Sequence, residues 1–407
     1  MKFHVVIGAN FGDEGKGLTT DYLCRQHENV AVVRFNGGAQ AGHTVVTPNG
    51  ERHVFKHIGS GAFAGAATYL SEYFVVNPLE LIKESLTLIE QAELIDDRRI
   101  FIHPSAKVTT PYDVMVNWAL ENKRKYSHSA HGSCGFGIGQ TEARHESIQL
   151  LAHQMDNADV IRTTLLKIRD KFYTPFIIQN QLRGYLDETF YDDAIIDEFI
   201  DNCQMAVDMC YIADYTRLTS FDHIVCEGAQ GLLLDQEHKW FPHVTRSNTG
   251  LKNVEEIFKQ INHYRKDPII DVHYITRAYL TRHGNGPLPF EVDGKIYPSI
   301  IDETNFTNHF QGALRFAPIN FDLLAESISN DLNSVNLQVN TILVVTCFNQ
   351  LPGTIQYIQQ GEKKLSHSKD DFVEIIHNNN VCATLMISSS PDATSFEVRQ
   401  SHDLEQV

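Results

Sequence analysis

Short, continuous runs of apolar residues recur along this chain, each separated from the next by a longer segment of mixed composition. Such runs are typical of parallel strands that are buried on both faces of a sheet. They lie at residues 5–7, 30–35, 100–102, 224–226, 269–280 and 342–345. The pattern predicts an α/β fold, with a large, mostly parallel central β-sheet and flanking helices.

Apolar residues at helical spacing lie between these runs. They predict helical segments at 18–25, 79–94, 118–124, 150–155, 160–172, 192–211 and 322–332. The stretch of about 150–217 is therefore predicted to be a helical insertion, and the tail at 352–407 shows strand-like alternation. Because the sequence shows no internal repeat, low-complexity segment or clear linker, residues 1–407 are expected to form a single domain.

A glycine-rich loop follows the first apolar run and precedes a predicted helix. This order aims backbone N–H groups and a helix N-terminus at a phosphate, as in a P-loop. Lys16 supplies a cation, whereas the carboxylates of Asp13 and Glu14 would repel phosphate unless one of them binds Mg²⁺ or takes a proton. The loop is not a standard Walker A motif, because Asn10 and Gly17 replace its first glycine and its hydroxyl residue. A tight turn with a solvated acidic pair is the alternative interpretation.

Similar loops follow other predicted strands, at 36–44, 131–140 and 227–231. Ligands of open α/β sheets bind beyond the C-terminal ends of the strands, so these loops are expected to face one crevice. His43 lies in the first of them and is therefore expected near Asp13. The loop at 131–140 is predicted to be an ordered loop that either holds a second phosphate or lies plainly on the surface.

Composition and charge narrow the function classes. The chain has 407 residues, of which 42% are hydrophobic and 21% charged, and its formal net charge is −17. This acidity argues against nucleic acids and anionic membranes as main partners, but nucleotides need only a local cluster of donors. The apolar runs are too short to span a bilayer and the N-terminus enters a strand rather than a signal peptide, so we expect a cytoplasmic protein.

The cysteines and histidines show no pattern of a disulfide framework or a metal motif. The seven cysteines are scattered and odd in number, without a C-x-x-C pair, which predicts reduced thiols. The 20 histidines include no H-E-x-x-H motif or comparable ligand spacing.

Several of the polar loops form a set of motifs. The set comprises GDEGKG at 12–17, FNGGAQAGHT at 35–44, GSCGFGIG at 132–139, EGAQGLLLD at 227–235, VTRSNT at 244–249 and TRHGNGP at 281–287. Together these motifs resemble those of the adenylosuccinate synthetase family, in the family's order and over residues of about 4–395. A single glycine loop would be a weak match, but six in order are specific. The resemblance implies that family's fold.

The resemblance also implies a two-step reaction. Members of the family phosphorylate the 6-oxygen of a 6-oxopurine nucleotide and then displace the phosphate with the amine of aspartate. By resemblance, Asp13 is the base that removes the purine N1 proton, and it binds Mg²⁺ together with the backbone carbonyl of Gly42. His43 would donate to the charge that develops at the purine oxygen, Lys16 would hold the transferring phosphate, and Gln230 completes the catalytic group.

The same resemblance assigns binding residues for the three expected substrates. The purine monophosphate is expected at Asn36, Gln40, Ser133, Cys134, Gln230, Leu234 and Thr245. The triphosphate is expected at Gly12, Glu14, Gly15, Lys16, Gly17, Gly42, Thr44, Asn349, Ser389 and Pro391. L-aspartate is expected at Gly312 and Arg315. Because members of the family are homodimers with sites near the interface, the resemblance also implies a homodimer.

Two departures from the family pattern bear on the substrates. Residues 310–316 align with the arginine-rich aspartate loop T-T-G-R-x-R-R, but only Arg315 remains, and Ala313 replaces an arginine that contacts the sugar. The guanine-binding T-K-x-D motif is Thr346-Cys347-Phe348-Asn349 here. The amide of Asn349 can both donate to and accept from adenine, which favours ATP or dATP over GTP as the phosphoryl donor.

These departures resemble a phage-type branch of the family, the 2-amino-2'-deoxyadenylosuccinate synthetases. That branch adds aspartate to guanylate, chiefly dGMP, on the route to 2,6-diaminopurine in DNA; a phage-encoded member would act in the host cytoplasm. Many members of the branch carry serine where this chain keeps Asp13. The departures from the family pattern nevertheless favour GMP or dGMP as the substrate. The first alternative is an ordinary adenylosuccinate synthetase that acts on IMP, and the second is an inactive nucleotide-binding regulator.

Overall fold

Strands and helices alternate along the chain, as the hydrophobic pattern predicts. The computed structural model describes residues 1–92, 99–126, 135–262, 270–302, 312–379 and 381–400. Its strands are β1 (Lys2–Gly8), β2 (Val30–Arg34), β3 (His43–Val46), β4 (Arg52–Phe55), β5 (Ala67–Leu70), β6 (Val75–Val76), β7 (Ile100–Ile102), β8 (Lys107–Val108), β9 (Tyr211–Ile212), β10 (His223–Gly231), β11 (Ile270–Arg277), β12 (Tyr279–Arg282), β13 (Arg315–Asn320), β14 (Val339–Thr346), β15 (Ile355–Gln359), β16 (Glu362–Ser366), β17 (Thr384–Ser388) and β18 (Phe396–Gln400). Its α-helices are α1 (Lys16–Arg25), α2 (Pro78–Ala92), α3 (Pro111–Tyr126), α4 (Ile138–His145), α5 (Ala158–Lys167), α6 (Thr174–Gln179), α7 (Ala194–Asp208), α8 (Leu251–Asn262), α9 (Phe321–Asn333) and α10 (Lys369–Asn378).

The predicted central sheet is confirmed. It has ten strands in the order β18-β17-β14-β11-β1-β10-β2-β5-β7-β9. Neighbouring strands run parallel except β17 and β18, which are antiparallel. Smaller sheets lie beside it, including a four-stranded sheet in the order β12-β13-β15-β16 and the hairpin of β3 and β4.

Strand β1 lies near the middle of this sheet, between β10 and β11. Val5, Val6 and Ile7 are fully buried. Val6 packs on one face with Leu23 of α1, and Val5 and Ile7 belong to the larger core that includes residues of α8 and α9. Because both faces are covered, the strand is apolar at every position rather than at alternate ones.

The predicted strand at 269–280 is wrong in one respect, because it is two strands in two sheets. Strand β11 belongs to the central sheet and β12 to the four-stranded sheet. The chain changes sheets at Ala278, whose N–H donates to the carbonyl of Thr346 at 3.0 Å. The hydrophobic pattern gives no sign of the change, because both strands are buried.

The predicted helical insertion contains α5, α6 and α7, but residues 150–155 form only a short 3-10 turn at Ala152–Gln154. Helix α10 lies in the tail, where the sequence predicted strands; the side chain of Ser368 caps it by accepting from the N–H of Asp371. The glycine loop predicted at 131–140 ends earlier than expected, because α4 begins at Ile138. The cap at Ser368 thus marks the start of a helix that periodicity alone missed.

The C-terminal ends of β1, β2, β10, β11 and β14 meet at one edge of the central sheet, since these strands are parallel and adjacent. The loops predicted to bind ligands follow these ends. In the described ranges, no helix combines the length and apolar composition that a membrane span requires. The six cysteines that fall within those ranges form no disulfide bond with one another.

Candidate active site

The loop after β1 turns sharply into α1 through close backbone contacts. Gly15 precedes the helix at φ 98°, a left-handed conformation that favours glycine. A Cβ atom at Gly15 would lie 2.8 Å from Cγ2 of Thr346 at the end of β14. The hydroxyl of Thr346 donates to the carbonyl of Glu14 at 2.7 Å, so β14 fixes the position of the loop.

The two carboxylates of the loop have different environments. The side chain of Glu14 is buried, and its Oε1 accepts from the N–H of Asn10 at 2.6 Å. Its Oε2 lies 3.8 Å from Nζ of Lys16. Burial raises the pKa of Glu14 to about 7, against the lowering effect of Lys16. Glu14 therefore acts inside the loop and holds its shape.

Asp13 is the more exposed of the two carboxylates in the loop. Its side chain is 31% exposed, compared with 3% for Glu14. Asp13 has a φ of 57°, and its backbone carbonyl accepts a hydrogen bond from Nε of Arg277. The carboxylate oxygen Oδ2 lies 3.5 Å from Nε2 of His283. This backbone arrangement directs Asp13 away from the protein interior.

His43 begins β3 and is held by a buried carboxylate. Its Nδ1 lies 2.6 Å from Oε1 of Glu227, in the middle of β10. Glu227 also accepts from the N–H of Ser60 at 3.1 Å and from its hydroxyl at 2.5 Å. Nε of Arg34 lies 3.8 Å from the same carboxylate.

The protonation states of this pair follow from their burial. Burial lowers the pKa of His43 to about 4, although Glu227 opposes the shift. Burial alone would raise the pKa of Glu227, but His43 and Arg34 together lower it to about 2. The imidazole is therefore neutral, donates from Nδ1 to the carboxylate, and keeps a lone pair on Nε2. That Nε2 atom is buried and has no hydrogen-bond partner within the described residues.

The missing hydroxyl at Gly17 has a structural explanation. A Cβ atom at Gly17 would lie 2.9 Å from the carbonyl oxygen of Thr44 and 3.1 Å from Cβ of His43. The first turn of α1 thus packs directly against β3. A serine or threonine in this position would push away the strand that carries His43.

Two glutamines offer unpaired acceptors. Gln40 and Gln230 line the same cleft as Asp13, and the Oε1 atom of each is buried without a hydrogen-bond partner in the described part of the chain. Gln230 adopts a φ of 64°. The end of β10, which contains Gln230, packs tightly on the loop after β1, since a Cβ atom at Gly231 would lie 2.4 Å from the carbonyl oxygen of Asn10. Buried acceptors of this kind suit the N–H groups of a purine.

Most of the predicted site residues meet in one cleft of about 660 Å³. Those that line it are Gly12, Asp13, Glu14, Gly15, Lys16, Gly17, Gln40, Gly42, His43, Thr44, Gln230, Leu234 and Thr245. His43 therefore lies with Asp13, as the sequence predicted. The cleft is large enough for nucleotide-sized ligands.

The other predicted site residues lie elsewhere. Asn36 is buried outside the cleft and uses its amide on both backbone groups of Ala229, at 2.6 Å and 3.1 Å. It positions the part of β10 that carries Gln230. Ser133 and Cys134 lie outside the described residues.

The predicted triphosphate contacts beyond the loop are exposed near the same edge of the sheet. Asn349 lies in a short 3-10 turn just after β14, three residues beyond the threonine that holds the loop. Ser389 and Pro391 follow the neighbouring strand β17. None of these three residues lines the cleft itself.

Arg315 also lies outside the lining of the cleft. Its guanidinium pairs with both carboxylate oxygens of Glu291 and donates to the carbonyls of Gly284 and Gly286 at 2.7 Å each. Those two glycines do line the cleft. Gly312 has a φ of 73° and lies just before β13, the strand that begins at Arg315. A substrate carboxylate at Arg315 would therefore have to replace Glu291.

The structure adds a set of cations that sequence reasoning did not assign to the site. Besides Lys16, the cleft is lined by Arg124, Arg246, Arg277 and Arg282. Burial, with help from Arg315, lowers the pKa of Arg282 to about 10, which leaves it charged at neutral pH. Arg246 and Arg282 belong to motifs that matched the family, so a signal existed for them. Nothing local in the sequence marked Arg277, which reaches the site only because β11 neighbours β1.

Comparison with protein families supports the interpretation of these motifs. A model of the family described as adenylosuccinate synthetase matches residues 5–391. The adenylosuccinate synthetase of Picrophilus torridus is 31% identical over 373 residues, which cover 88% of this chain and 81% of that protein. The enzyme of Prochlorococcus marinus strain NATL1A is 33% identical over 309 residues, which cover 73% of this chain and 66% of that protein.

Solved structures share the fold. A fully ligated adenylosuccinate synthetase from Plasmodium falciparum matches with a TM-score of 0.77 and 18% identity, over 98% of this chain and all of that one. The cyanophage S-2L succinoaminodeoxyadenylate synthetase, solved with dGMP and with dATP as energy donor, matches with a TM-score of 0.62 and 18% identity, over 98% of this chain and 95% of that one.

A serine at Gly17 should reduce the activity of the site. The new Cβ would meet a backbone carbonyl at 2.9 Å, so β3 and His43 would have to move. Overpacking of this kind costs roughly 1–3 kcal/mol. We expect Gly17→Ser to lower kcat/KM at least about 10-fold. Gly184→Ser is the matched control, because a Cβ there meets no atom within 4 Å. Retention of activity within a factor of about two in Gly17→Ser would contradict this account of the packing.

Replacing Glu14 by glutamine should change how thermal stability depends on pH. The pKa of Glu14 is raised from 4.5 to about 7, so its ionisation costs stability as the pH rises through that window. The cost grows by at most about 1.4 kcal/mol per pH unit. We expect the Tm of Glu14→Gln, relative to the native chain, to increase from pH 4.5 to pH 7 and then to level off. Exposed Glu51 provides the control variant Glu51→Gln. If the difference in Tm between the variant and the native chain stayed constant from pH 4.5 to pH 7, the raised pKa of Glu14 would be refuted.

Proposed function

Because the chain belongs to the adenylosuccinate synthetase family, ligases that form a carbon–nitrogen bond, we propose that it joins L-aspartate to C6 of guanylate, GMP or dGMP, with ATP or dATP as phosphoryl donor. The product is an N6-succino-2-amino-adenylate, a precursor of 2,6-diaminopurine nucleotides. The observation that carries the proposal is the meeting of Asp13, Lys16, His43 and Gln230 in one cleft lined by arginines.

The first step activates the purine oxygen. Asp13 takes the N1 proton of the purine, so that electron density moves to the 6-oxygen, which attacks the γ-phosphorus of the triphosphate. The nucleoside diphosphate leaves, and a purine nucleotide phosphorylated on its 6-oxygen remains. The partial exposure of Asp13 inside the cleft suits this role, whereas Glu14 is buried within its own loop.

Lys16 and His43 stabilise the charge of this transfer. Lys16 begins α1, where the N–H groups of the first helical turn and the ammonium group can hold the transferring phosphate. His43 offers its buried Nε2 atom, because Glu227 occupies Nδ1. To donate from Nε2, the imidazole must take a proton, and a bound phosphate anion favours that form.

Asp13 and the backbone carbonyl of Gly42 are the proposed ligands of Mg²⁺. Both line the cleft beside the phosphate loop, and Mg²⁺ prefers such oxygen ligands. When bound, the ion neutralises charge on the phosphates. The residues present thus fit the ion without the Walker hydroxyl that Gly17 lacks.

The second step replaces the phosphate with an amine. The α-amino group of L-aspartate attacks C6, the C6–O bond breaks, and phosphate departs with the former 6-oxygen. Arg315, beside Gly312, is the proposed partner of an aspartate carboxylate, which would exchange with Glu291 at the guanidinium. Its bonds to Gly284 and Gly286 already hold the guanidinium next to the cleft.

The choice of guanylate and of an adenine donor rests on particular positions. Asn349 has an amide that can pair with adenine, where a guanine reader would need a carboxylate. The unpaired Oε1 atoms of Gln40 and Gln230 are acceptors, and guanine offers both N1–H and the 2-amino group. The cyanophage S-2L protein of the same fold was solved with dGMP and dATP. These points support guanine in the substrate and adenine in the donor, and they do not distinguish ribose from deoxyribose.

Two alternatives are distinguished by experiment. The curated relatives are named adenylosuccinate synthetases, which favours IMP as the substrate with GTP or ATP as donor. An inactive nucleotide-binding regulator is disfavoured by the exposed Asp13 and the buried pair of His43 and Glu227. As further parts of the proposal, the chain is a single-domain cytoplasmic enzyme that forms a homodimer.

A substrate matrix tests the proposed reaction. The enzyme, L-aspartate and Mg²⁺ are combined with IMP, GMP, dIMP or dGMP, each crossed with ATP, dATP or GTP, and products are identified by mass. We expect the succino product chiefly from guanylates with an adenine donor. Asp13→Asn should lower kcat by about 10²–10⁴-fold and serves as the inactive control. Turnover of IMP with GTP alone would overturn the proposal, and absence of product from every pair would favour the regulator.

The donor preference should depend on Asn349. Replacing its amide by a carboxylate, in Asn349→Asp, removes the donor to adenine and supplies two acceptors for guanine. We expect the ratio of kcat/KM for ATP to that for GTP to fall at least about 10-fold. Asn336→Asp, at an exposed position away from the cleft, adds the same charge as a control. An unchanged ratio in Asn349→Asp would refute the assigned role of this residue.

A further inference from the structure

A cluster of histidines lies at the edge of the central sheet opposite the candidate active site. His4 is in β1 and His223 begins β10, and both therefore lie near the N-terminal ends of parallel strands. The strand register pairs Lys2 with His223, which puts His223 on the same face of the sheet as His4. His27 joins them from the chain that follows α1, the helix packed on that face.

The three imidazoles are close enough to share one ion. The rings of His27 and His223 are stacked with centroids 3.8 Å apart, and those of His4 and His27 are 5.2 Å apart. One nitrogen from each ring can be chosen so that all three atoms lie within 4.8 Å of one another.

Several ring nitrogens of this cluster have no hydrogen-bond partner within the described residues. His4 is only 3% exposed, and neither of its ring nitrogens has a hydrogen-bond partner within the described residues. Nδ1 of His223 is likewise buried without one. Burying polar atoms unpaired costs free energy, so the unpaired nitrogens of these two rings, with the ring of His27 stacked beside them, favour a ligand that satisfies them. Burial lowers the pKa of His4 to about 3, which keeps its lone pair available at neutral pH.

The charged groups around the cluster are compatible with a cation. Asp271 of β11 faces His4, with its Oδ2 atom 3.9 Å from Nδ1, and its carboxylate can offset positive charge or act as a fourth ligand. The same carboxylate holds Lys2 at 2.7 Å, so an added cation would compete with that ammonium group. His273 lies behind His4, with ring centroids 5.9 Å apart.

We propose that His4, His27 and His223 form a binding site for a divalent transition metal ion of the zinc class. Imidazole nitrogens favour zinc, nickel, cobalt or copper, whereas Mg²⁺ and Ca²⁺ prefer oxygen ligands. The site is separate from the proposed Mg²⁺ site, because it lies at the other ends of the strands. A bound ion would tie the end of α1 to β1 and β10, and would thereby stabilise the helix whose first turn carries Lys16.

The test measures metal binding and thermal stability on a chain without a histidine tag. Saturating Mg²⁺ is present throughout, and Zn²⁺ is titrated against a chromophoric chelator, with Tm measured in parallel. We expect one tight Zn²⁺ per chain and a rise in Tm on binding. Co²⁺ in its place should give the visible absorption of a nitrogen-ligated tetrahedral ion. The double variant His27→Asn/His223→Asn should weaken the affinity at least about 10-fold and abolish the rise in Tm.

His367→Asn is the matched control, because this histidine is exposed and lies between β16 and α10. It should bind Zn²⁺ as the native chain does. The metal-free Tm of each variant shows whether the fold has survived, and the single variants His27→Asn and His223→Asn repeat the test if the double variant does not fold. Equal affinity in the cluster variants and the native chain would overturn the proposal, since the ion would then bind elsewhere. Failure of the native chain to bind a stoichiometric ion would overturn it as well.

Discussion

The buried carboxylate of Glu14 is the constraint on which the phosphate loop depends. It accepts from the N–H of Asn10 within the loop and faces Lys16 at the start of α1. With one carboxylate turned inward, the left-handed backbone at Asp13 directs the other into the cleft. A loop that carries two acids can therefore hold phosphates, because one acid is structural and the other faces the reacting groups.

A second buried carboxylate, Glu227, plays the corresponding part for His43. It fixes the ring by accepting from Nδ1, and it is itself held by Ser60 and Arg34. Before ligands bind, burial keeps the imidazole neutral. In the proposed mechanism, His43 takes up a proton when the anionic substrates bind, which would link nucleotide binding to the formation of the protonated imidazole.

The site reconciles an acidic chain with strongly anionic ligands. The net charge of −17 describes the surface as a whole, whereas the cleft collects Lys16 and four arginines from α1, α3, β11, β12 and the loop after β10. Local potential governs ligand binding in a cleft more than net charge does. Arg315 lies outside the lining of the cleft and is paired with Glu291, so the proposed aspartate site would require this ion pair to open.

The sequence by itself determined the α/β class and the glycine-rich loop after β1, and most of the site residues it predicted do line the cleft, because apolar runs and glycine-rich loops are local patterns. Only the tertiary structure showed that Glu14 is buried while Asp13 is partly exposed, that a side chain at Gly17 would collide with β3, and that Asn36 holds the end of β10. It also divided the run at 269–280 between two sheets and brought Arg277 to the site. These features depend on contacts between residues far apart in the chain, such as those of Thr346 with the loop after β1, and such contacts leave no periodic trace in the sequence.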